Sequence, residues 1–339
     1  MRFSLFYFAD DSTQPSADRY ELLLEGARYA DAHGFTAVWT PERHFHAFGG
    51  LYPNSAVTGA AVAAVTERVA VRAGSVVAPL HHPIRIAEDW AVVDNLSGGR
   101  VGVSFASGWH AVDFAFNPGG YADRTRITVE TLEQVRRLWR GEEVSVVTGV
   151  GEEQQVRIFP PPVQPELPVW LTSSGSVETF RTAGALGVGV LTNLLSQSVD
   201  ELALKIKEYR AGLAGRPGDV VVMLHTHLGP TTDAVREALT AYVRSSVGLH
   251  LGSSAGSARD VDPAALGSKG VEFMTRRAVK RFFDEAGLLG EPAVAAERVR
   301  RLAAIGVDEI ACLIDFGLET SAVLGSLDQL GKLLDSGDH

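Results

Sequence analysis

The stretch VAVRAGSVVAPLHHPIRIAEDWAVVDNLSGGRVGVSFASGW, residues 69–109, decides the architecture. Val69 to Val77 is an apolar, β-branched run of strand length. Pro83 opens a helix through Asn95, at a position where its missing N–H costs nothing. Gly98-Gly99 turns the chain into a second apolar strand, Val101 to Ala106. This is a strand–helix–strand unit, and the same unit recurs on both sides. Upstream lie a strand from Phe3 to Ala9, an amphipathic helix from Arg19 to His33 closed by Gly34, a strand from Phe35 to Thr40 and a helix from Ser55 to Thr66. Downstream come a helix from Arg124 to Trp139, strands at Pro168–Thr172, Val188–Thr192, Val220–Leu228 and Asp308–Ile314, and helices at Ser176–Ala185, Val199–Leu213, Thr232–Val247, Arg276–Ala286 and Val294–Ile305, then a closing helix.

Eight short apolar strands alternating with helices read as a parallel sheet covered by helices. At roughly 150 residues per domain, 339 residues suggest two domains, but α/β barrels commonly exceed that size as one. No linker divides the chain. The expected fold is therefore α/β, a (β/α)8 TIM barrel with insertions, in one domain over residues 1–339. Residues 140–167 break the rhythm and read as an excursion with a small hairpin. Residues 249–270, Gly/Ser-rich and without periodicity, read as a mobile loop or lid, the lid region extending to about 290.

Composition narrows the function. The chain is 45% hydrophobic with a formal charge of −10 and no Lys/Arg cluster, which argues against a nucleic-acid binder. No apolar run reaches the roughly 18 residues needed to span a bilayer. The opening MRFSLFYFADD reads as a strand, not as a signal peptide, because Asp10 and Asp11 end the apolar run without a cleavage pattern. The single cysteine, Cys312, excludes an intrachain disulfide and sits in an apolar strand as an inert thiol. The cytoplasm is the expected compartment.

A barrel carries its chemistry at the carboxyl ends of its strands. That rule selects Pro41–His46, Ala78–Pro83, Ser104–His110, Thr172–Thr179 and the late-strand pair His225 and His227. In the Thr172–Thr179 segment, small residues run into a helix start, the arrangement of an anion or phosphate site. A plain serine N-cap with a capping box reads the same residues equally well. Glu42, His44, His46, His225 and His227 would suit a metal-dependent hydrolase, yet the first strand reads Phe6-Tyr7-Phe8 where such barrels usually carry a His pair; no metal is expected. His44 reads instead as a pocket residue poised to titrate near neutral pH. Trp109, in a loop, reads as a wall for a flat ring system, and His81 and His82 as structural.

At these segments the chain resembles the bacterial luciferase-like flavin-dependent monooxygenase superfamily. The resemblance runs over most of the chain and is strongest in GFTAVWTPERHF (34–45), in residues 73–109 and in WLTSSGSVETF (170–180). Within the superfamily the subgroup associated with polyketide and non-ribosomal peptide assembly is the most similar. The resemblance implies a luciferase-like TIM barrel that uses reduced FMN and O2 to oxygenate an organic substrate, with the flavin supplied by a separate flavin reductase. It implies proton handling by His44 in a Glu-x-His-Phe motif that begins at Glu42, with Trp109 the third candidate catalytic residue. It places Gly74 and Ser75 at a non-prolyl cis peptide beneath the flavin, and Ser173, Ser174, Gly175, Ser176 and Thr179 in the phosphate-binding turn. Asp113 and Phe114 match an Asp-Phe pair near the flavin. Ser107 stands where luciferase has a phosphate-binding arginine, and Ala106 where it has a reactive cysteine. A natural-product intermediate, free or tethered to a carrier protein, is the implied substrate, and a homodimer the implied assembly. An F420-dependent oxidoreductase of the same fold and a non-catalytic flavin-binding protein are the alternatives.

Overall fold

The strands form because runs such as Val220–Val222 and Ile310–Cys312 are apolar at every position, suited to burial on both faces. The computed structural model describes residues 1–12, 18–252 and 263–335. Eight parallel strands pair in a closed ring: β1 (Arg2–Phe6), β2 (Ala37–Thr40), β3 (Ala70–Val77), β4 (Val101–Ala106), β7 (Val169–Ser173), β8 (Gly189–Asn193), β9 (Val220–Leu228) and β11 (Glu309–Leu313). β11 closes the ring on β1, with Arg2 opposite Glu309 and Phe6 opposite Leu313. The architecture is the (β/α)8 barrel expected from the sequence.

Helices α1 (Glu21–Ala32), α2 (Ser55–Ala64), α3 (Pro83–Ser97), α4 (Arg124–Trp139), α5 (Val177–Leu186), α6 (Val199–Leu213), α7 (Asp233–Gly252), α8 (Pro263–Arg281), α9 (Pro292–Ala304) and α10 (Thr320–Asp335) connect the strands. Pro83 occupies the first turn of α3, and Gly98 ends that helix at φ 69°. Between α4 and β7, β5 (Val144–Val147) and β6 (Glu153–Val156) form an antiparallel hairpin within the 140–167 excursion.

Several boundaries differ from the sequence reading. The first strand stops at Phe6, not Ala9, because the next backbone groups are taken elsewhere: Phe8 N–H donates to Asp315 at 2.8 Å and Gly49 N–H to Ala9 C=O at 2.8 Å. The helix expected at 276–286 begins at Pro263 and gives way to a π-turn, Phe282–Ala286. Of the expected lid, residues 249–252 and 263–281 are helical and 253–262 lie outside the described residues. A short strand, β10 (Leu288–Gly290), was not visible in the sequence. It pairs with Thr226–Leu228 of β9, while Val221–His225 of that strand pair with β11.

Residues facing the barrel axis divide it into a floor and a mouth. At the floor, Glu309 is fully buried and accepts hydrogen bonds from Ser4 Oγ at 2.6 Å and from Arg72 Nη1 at 3.0 Å to each oxygen. Trp39 Nε1 donates to Ser4 Oγ at 2.9 Å, and the Arg72 guanidinium lies 5.0 Å from the Trp39 ring and 4.7 Å from the Trp170 ring. Gly189 makes room for Trp170: a Cβ there would lie 2.1 Å from the indole. This plug closes one end, and the chemistry is confined to the other. Cys312 is buried within β11, where burial pushes its thiol up to about 12.

Candidate active site

The loop after β2 bends sharply at Phe45, a non-glycine residue at φ 56°. That bend turns the Phe45 ring outward and leaves Glu42, Arg43 and His44 buried. Glu42 is the hub. Its Oε1 accepts Nε2–H of His44 at 2.8 Å and Nε2–H of His81 at 2.6 Å, and its Oε2 accepts Val77 N–H at 2.8 Å. Burial alone would favour the protonated acid, but the hydrogen bonds from His44 and His81, the His81 charge and the Val77 amide outweigh it and hold the carboxyl below its usual range. Burial likewise opposes charge on His81, yet Glu42, with Asp89 beyond it, raises its affinity for a proton. With Nε2 engaged on Glu42, Nδ1 of His44 is the nitrogen left to a reacting group. The edge of the His44 ring meets Phe116 at 4.8 Å, and Phe45 stacks on Phe116 at 5.3 Å.

Beside this cluster Arg43 pairs with Asp113. Trp109 is partly exposed and lies over the Arg43 guanidinium, 5.4 Å from it. It therefore belongs to the Arg43 side of the mouth.

Deeper in the barrel the Gly74–Ser75 peptide is cis, as the resemblance implies. Ser75 Oγ and Thr172 Oγ1 share a hydrogen bond, and Thr172 Oγ1 also meets Ser104 Oγ at 2.6 Å. A Cβ at Gly74 would lie 2.7 Å from Phe6 and 3.0 Å from Trp39, so the core behind this peptide has room only for glycine.

Across the mouth, β7 ends in the Ser173–Ser176 turn. Ser173 Oγ accepts Gly175 N–H and donates to Ser176 C=O, both at 3.3 Å; Gly175 sits at φ 132°. Ser176 caps α5 through Thr179 N–H at 3.4 Å, and the amides of Val177 and Glu178 precede the helix's own ladder. Ser174 and Ser176 are exposed. Ser107 lies half-buried after β4. Lys205 of α6 lies beside this turn: its Nζ donates to Gln197 Oε1 at 2.8 Å and would lie 3.4 Å from a Cβ at Gly175. The Ser75, Thr172 and Ser104 hydroxyls at the Gly74–Ser75 peptide, together with a helix end flanked by lysine, are groups that a ring carrying a phosphate tail could use.

The structure thus brings Glu42 and His44 together, Gly74 and Ser75 together, and Ser173 to Thr179 together. Sequence reading missed His81, although it lies in the loop after β3, where barrel position alone points to function. It also missed Arg43 and Lys205, whose partners come from distant segments. His225 and His227 line β9; His225 stacks on Phe282 at 4.3 Å, and burial lowers its affinity for a proton to about 3. Among the described residues no three His, Cys, Asp or Glu side chains are grouped to hold a metal ion. No helix among them is long and apolar enough to cross a membrane.

Comparison with known proteins agrees with the barrel fold. The chain is 24% identical over 351 residues to the oxygenase component of a flavin-dependent trigonelline monooxygenase from Acinetobacter baylyi, covering 97% of this chain and 93% of that protein. Its fold matches the crystal structure of monooxygenase RslO1 from Streptomyces bottropensis with TM-score 0.79 at 22% identity, over 99% of each chain. It also matches the oxygenating constituent of 3,6-diketocamphane monooxygenase from Pseudomonas putida, solved with FMN, with TM-score 0.74 at 18% identity over 98% and 97% of the two chains. The family model for luciferase-like monooxygenases matches residues 1–309, and the chain belongs to that family of flavin-dependent enzymes.

Proposed function

We propose that this protein is the oxygenase of a two-component system, taking reduced FMN from a separate flavin reductase and using it with O2 to oxygenate an organic substrate. The observation that carries the reading is the pairing of a polar, glycine-floored surface at Gly74–Ser75 with the Ser174–Thr179 turn. The Ser174, Gly175, Ser176 and Thr179 segment and Lys205 would hold the phosphate, with Ser107 in place of a second cation. Gly74 and Ser75 would support the ring. When bound, the flavin supplies the redox chemistry, and the protein supplies position and dryness. Glu42 fixes the His44 ring so that Nδ1 exchanges the proton that oxygenation requires. Phe45, Phe116 and Trp109, exposed here, would rim the mouth. The substrate class is a natural-product intermediate, free or carrier-protein-tethered. We place the enzyme in the cytoplasm as a single-domain subunit of a homodimer; exposed Val57 of α2 and Val92 and Leu96 of α3 support a subunit contact on those helices.

The test is an anaerobic titration with photoreduced FMN and, in parallel, with reduced F420, followed by admission of O2. Retention of FMN, with flavin reoxidation slower than in free solution, is the expected result. Tight binding of F420 with no retention of FMN would replace the reading with hydride transfer.

A further inference from the structure

The mouth holds a group to which the flavin reading gives no role. Arg43 is only 4% exposed, and its side chain is fixed along its length. Its backbone N–H donates to Tyr52 C=O at 2.8 Å. Its stem packs on Gly49, where a Cβ would lie 2.8 Å from Arg43 Cγ. Its Nη1 is paired with Asp113. The remaining donors, Nε–H and Nη2–H2, are buried and make no hydrogen bond to the protein. Buried donors of a charged group are nearly always satisfied in folded proteins, and an exception at the mouth of a binding site marks the place of an acceptor the protein does not itself supply. Trp109 lies directly over this guanidinium.

The neighbourhood decides what kind of acceptor. Asp113 compensates the guanidinium charge, and Asp113 Oδ1 is also 3.4 Å from His110 Nδ1. Asp10 lies close enough to His46 to favour its charged form, while burial first and then Arg43 favour the neutral ring. The site thus offers directed N–H donors with their positive charge already answered. A second carboxylate would face Asp113 with only one guanidinium between them, whereas a neutral oxygen meets no such repulsion.

We propose that Arg43 is a substrate-recognition residue that donates from Nε and Nη2 to an uncharged carbonyl oxygen of the organic substrate, which enters beneath Trp109. The inference rests on the assignment of the barrel mouth as the active site. Trp109 supplies a readout independent of turnover, because the other four tryptophans, Trp39, Trp90, Trp139 and Trp170, are buried. The probes are benzamide, its charged counterpart benzoate, and toluene, which lacks the acceptor, titrated against tryptophan emission. Benzamide is expected to bind and to shift the emission, with benzoate and toluene weaker. Arg43→Met should weaken benzamide by roughly tenfold, and Arg43→Gln, which keeps an amide donor, by less. The double variant Arg43→Met/Asp113→Asn removes both charges, so a folding defect caused by the stranded carboxylate is kept apart from the binding result. Undiminished benzamide binding in these variants, no binding to the wild type, or benzoate binding as tightly as benzamide would each overturn the proposal. FMN affinity, read separately from flavin fluorescence, should stay unchanged in the single variants Arg43→Met and Arg43→Gln; its absence in the wild type would be a failure of the flavin assignment and not of this one.

Discussion

Glu42 carries more of the candidate chemistry than its place in a four-residue motif suggests. Its two oxygens take two imidazole N–H groups and an amide. Glu42→Gln keeps the shape but turns one acceptor into a donor and removes the charge that supports His81. Oxygenase turnover should fall on the order of 100-fold with FMN affinity little changed, the signature of lost proton handling; equal loss of both in steady-state and binding measurements would assign Glu42 a structural role. Asp315 makes a different prediction. Burial raises its pKa to about 7, against the hydrogen bonds from Phe8 and Ala9 amides and Tyr52 that favour the carboxylate. A carboxyl held above its unfolded value stabilises the fold below the unfolded pKa near 4 and loses that contribution as pH rises through 7. The melting-temperature advantage of the wild type over Asp315→Asn should therefore shrink between about pH 4 and 8, a comparison in which the opposite trend from His225 cancels. Neither residue's environment was legible in sequence: Asp315 meets Phe8 across 307 residues and Glu42 meets His81 across 39. Glu42 and His44 were legible as a motif, because their spacing is local.

At the scale of elements, the barrel strands and their helices could be read because each is long, apolar and punctuated by Gly or Pro. What escaped is what lacks that signal. β10 has three residues, and the turns at 111–120 are 3₁₀ in character. α8 runs through Gly267, Ser268 and Gly270, poor helix formers, and it packs against α7, so tertiary contact overrides local preference. The α5 start was legible as a helix end, with cap and anion site as equal readings. Both readings now share residues, since Ser176 caps Thr179 while Ser174 and Ser176 remain exposed. Ser176→Ala should cost about 1 kcal/mol of stability. It should also weaken FMN several-fold while leaving riboflavin, which lacks the phosphate, unaffected; fluorescence titration with both flavins decides, and equal weakening of the two would detach the turn from the phosphate.

For the whole molecule, closure of eight strands forces a plug at the floor, and the plug is polar. Arg72→Met would leave the buried Glu309 charge with Ser4 and Trp39 as neutral donors and Arg2, at 3.9 Å, as its cationic partner among the described residues, a loss of about 3–5 kcal/mol in denaturant unfolding. Adding Glu309→Gln, which retains an acceptor for Ser4 and Trp39 without the charge, should restore much of it. A double variant no more stable than the single one would show that the ion pair is not what the floor depends on. No sequence pattern announces this plug, because its members lie on five strands and meet only when the ring closes.

That closed ring also settles the fate of the one sulfhydryl. Cys312 is screened on both faces of the sheet and is almost wholly a neutral thiol at physiological pH. Alkylating reagents and peroxides find no thiolate on the native protein, so oxidative loss of activity must come from other side chains. The same screening makes the native fold a blank background for site-directed labelling: a cysteine introduced at Leu195 or Phe273, both exposed near the mouth-side loops and α8, would be the one reactive thiol. Reporters placed there could follow movement around the mouth without any prior cysteine replacement.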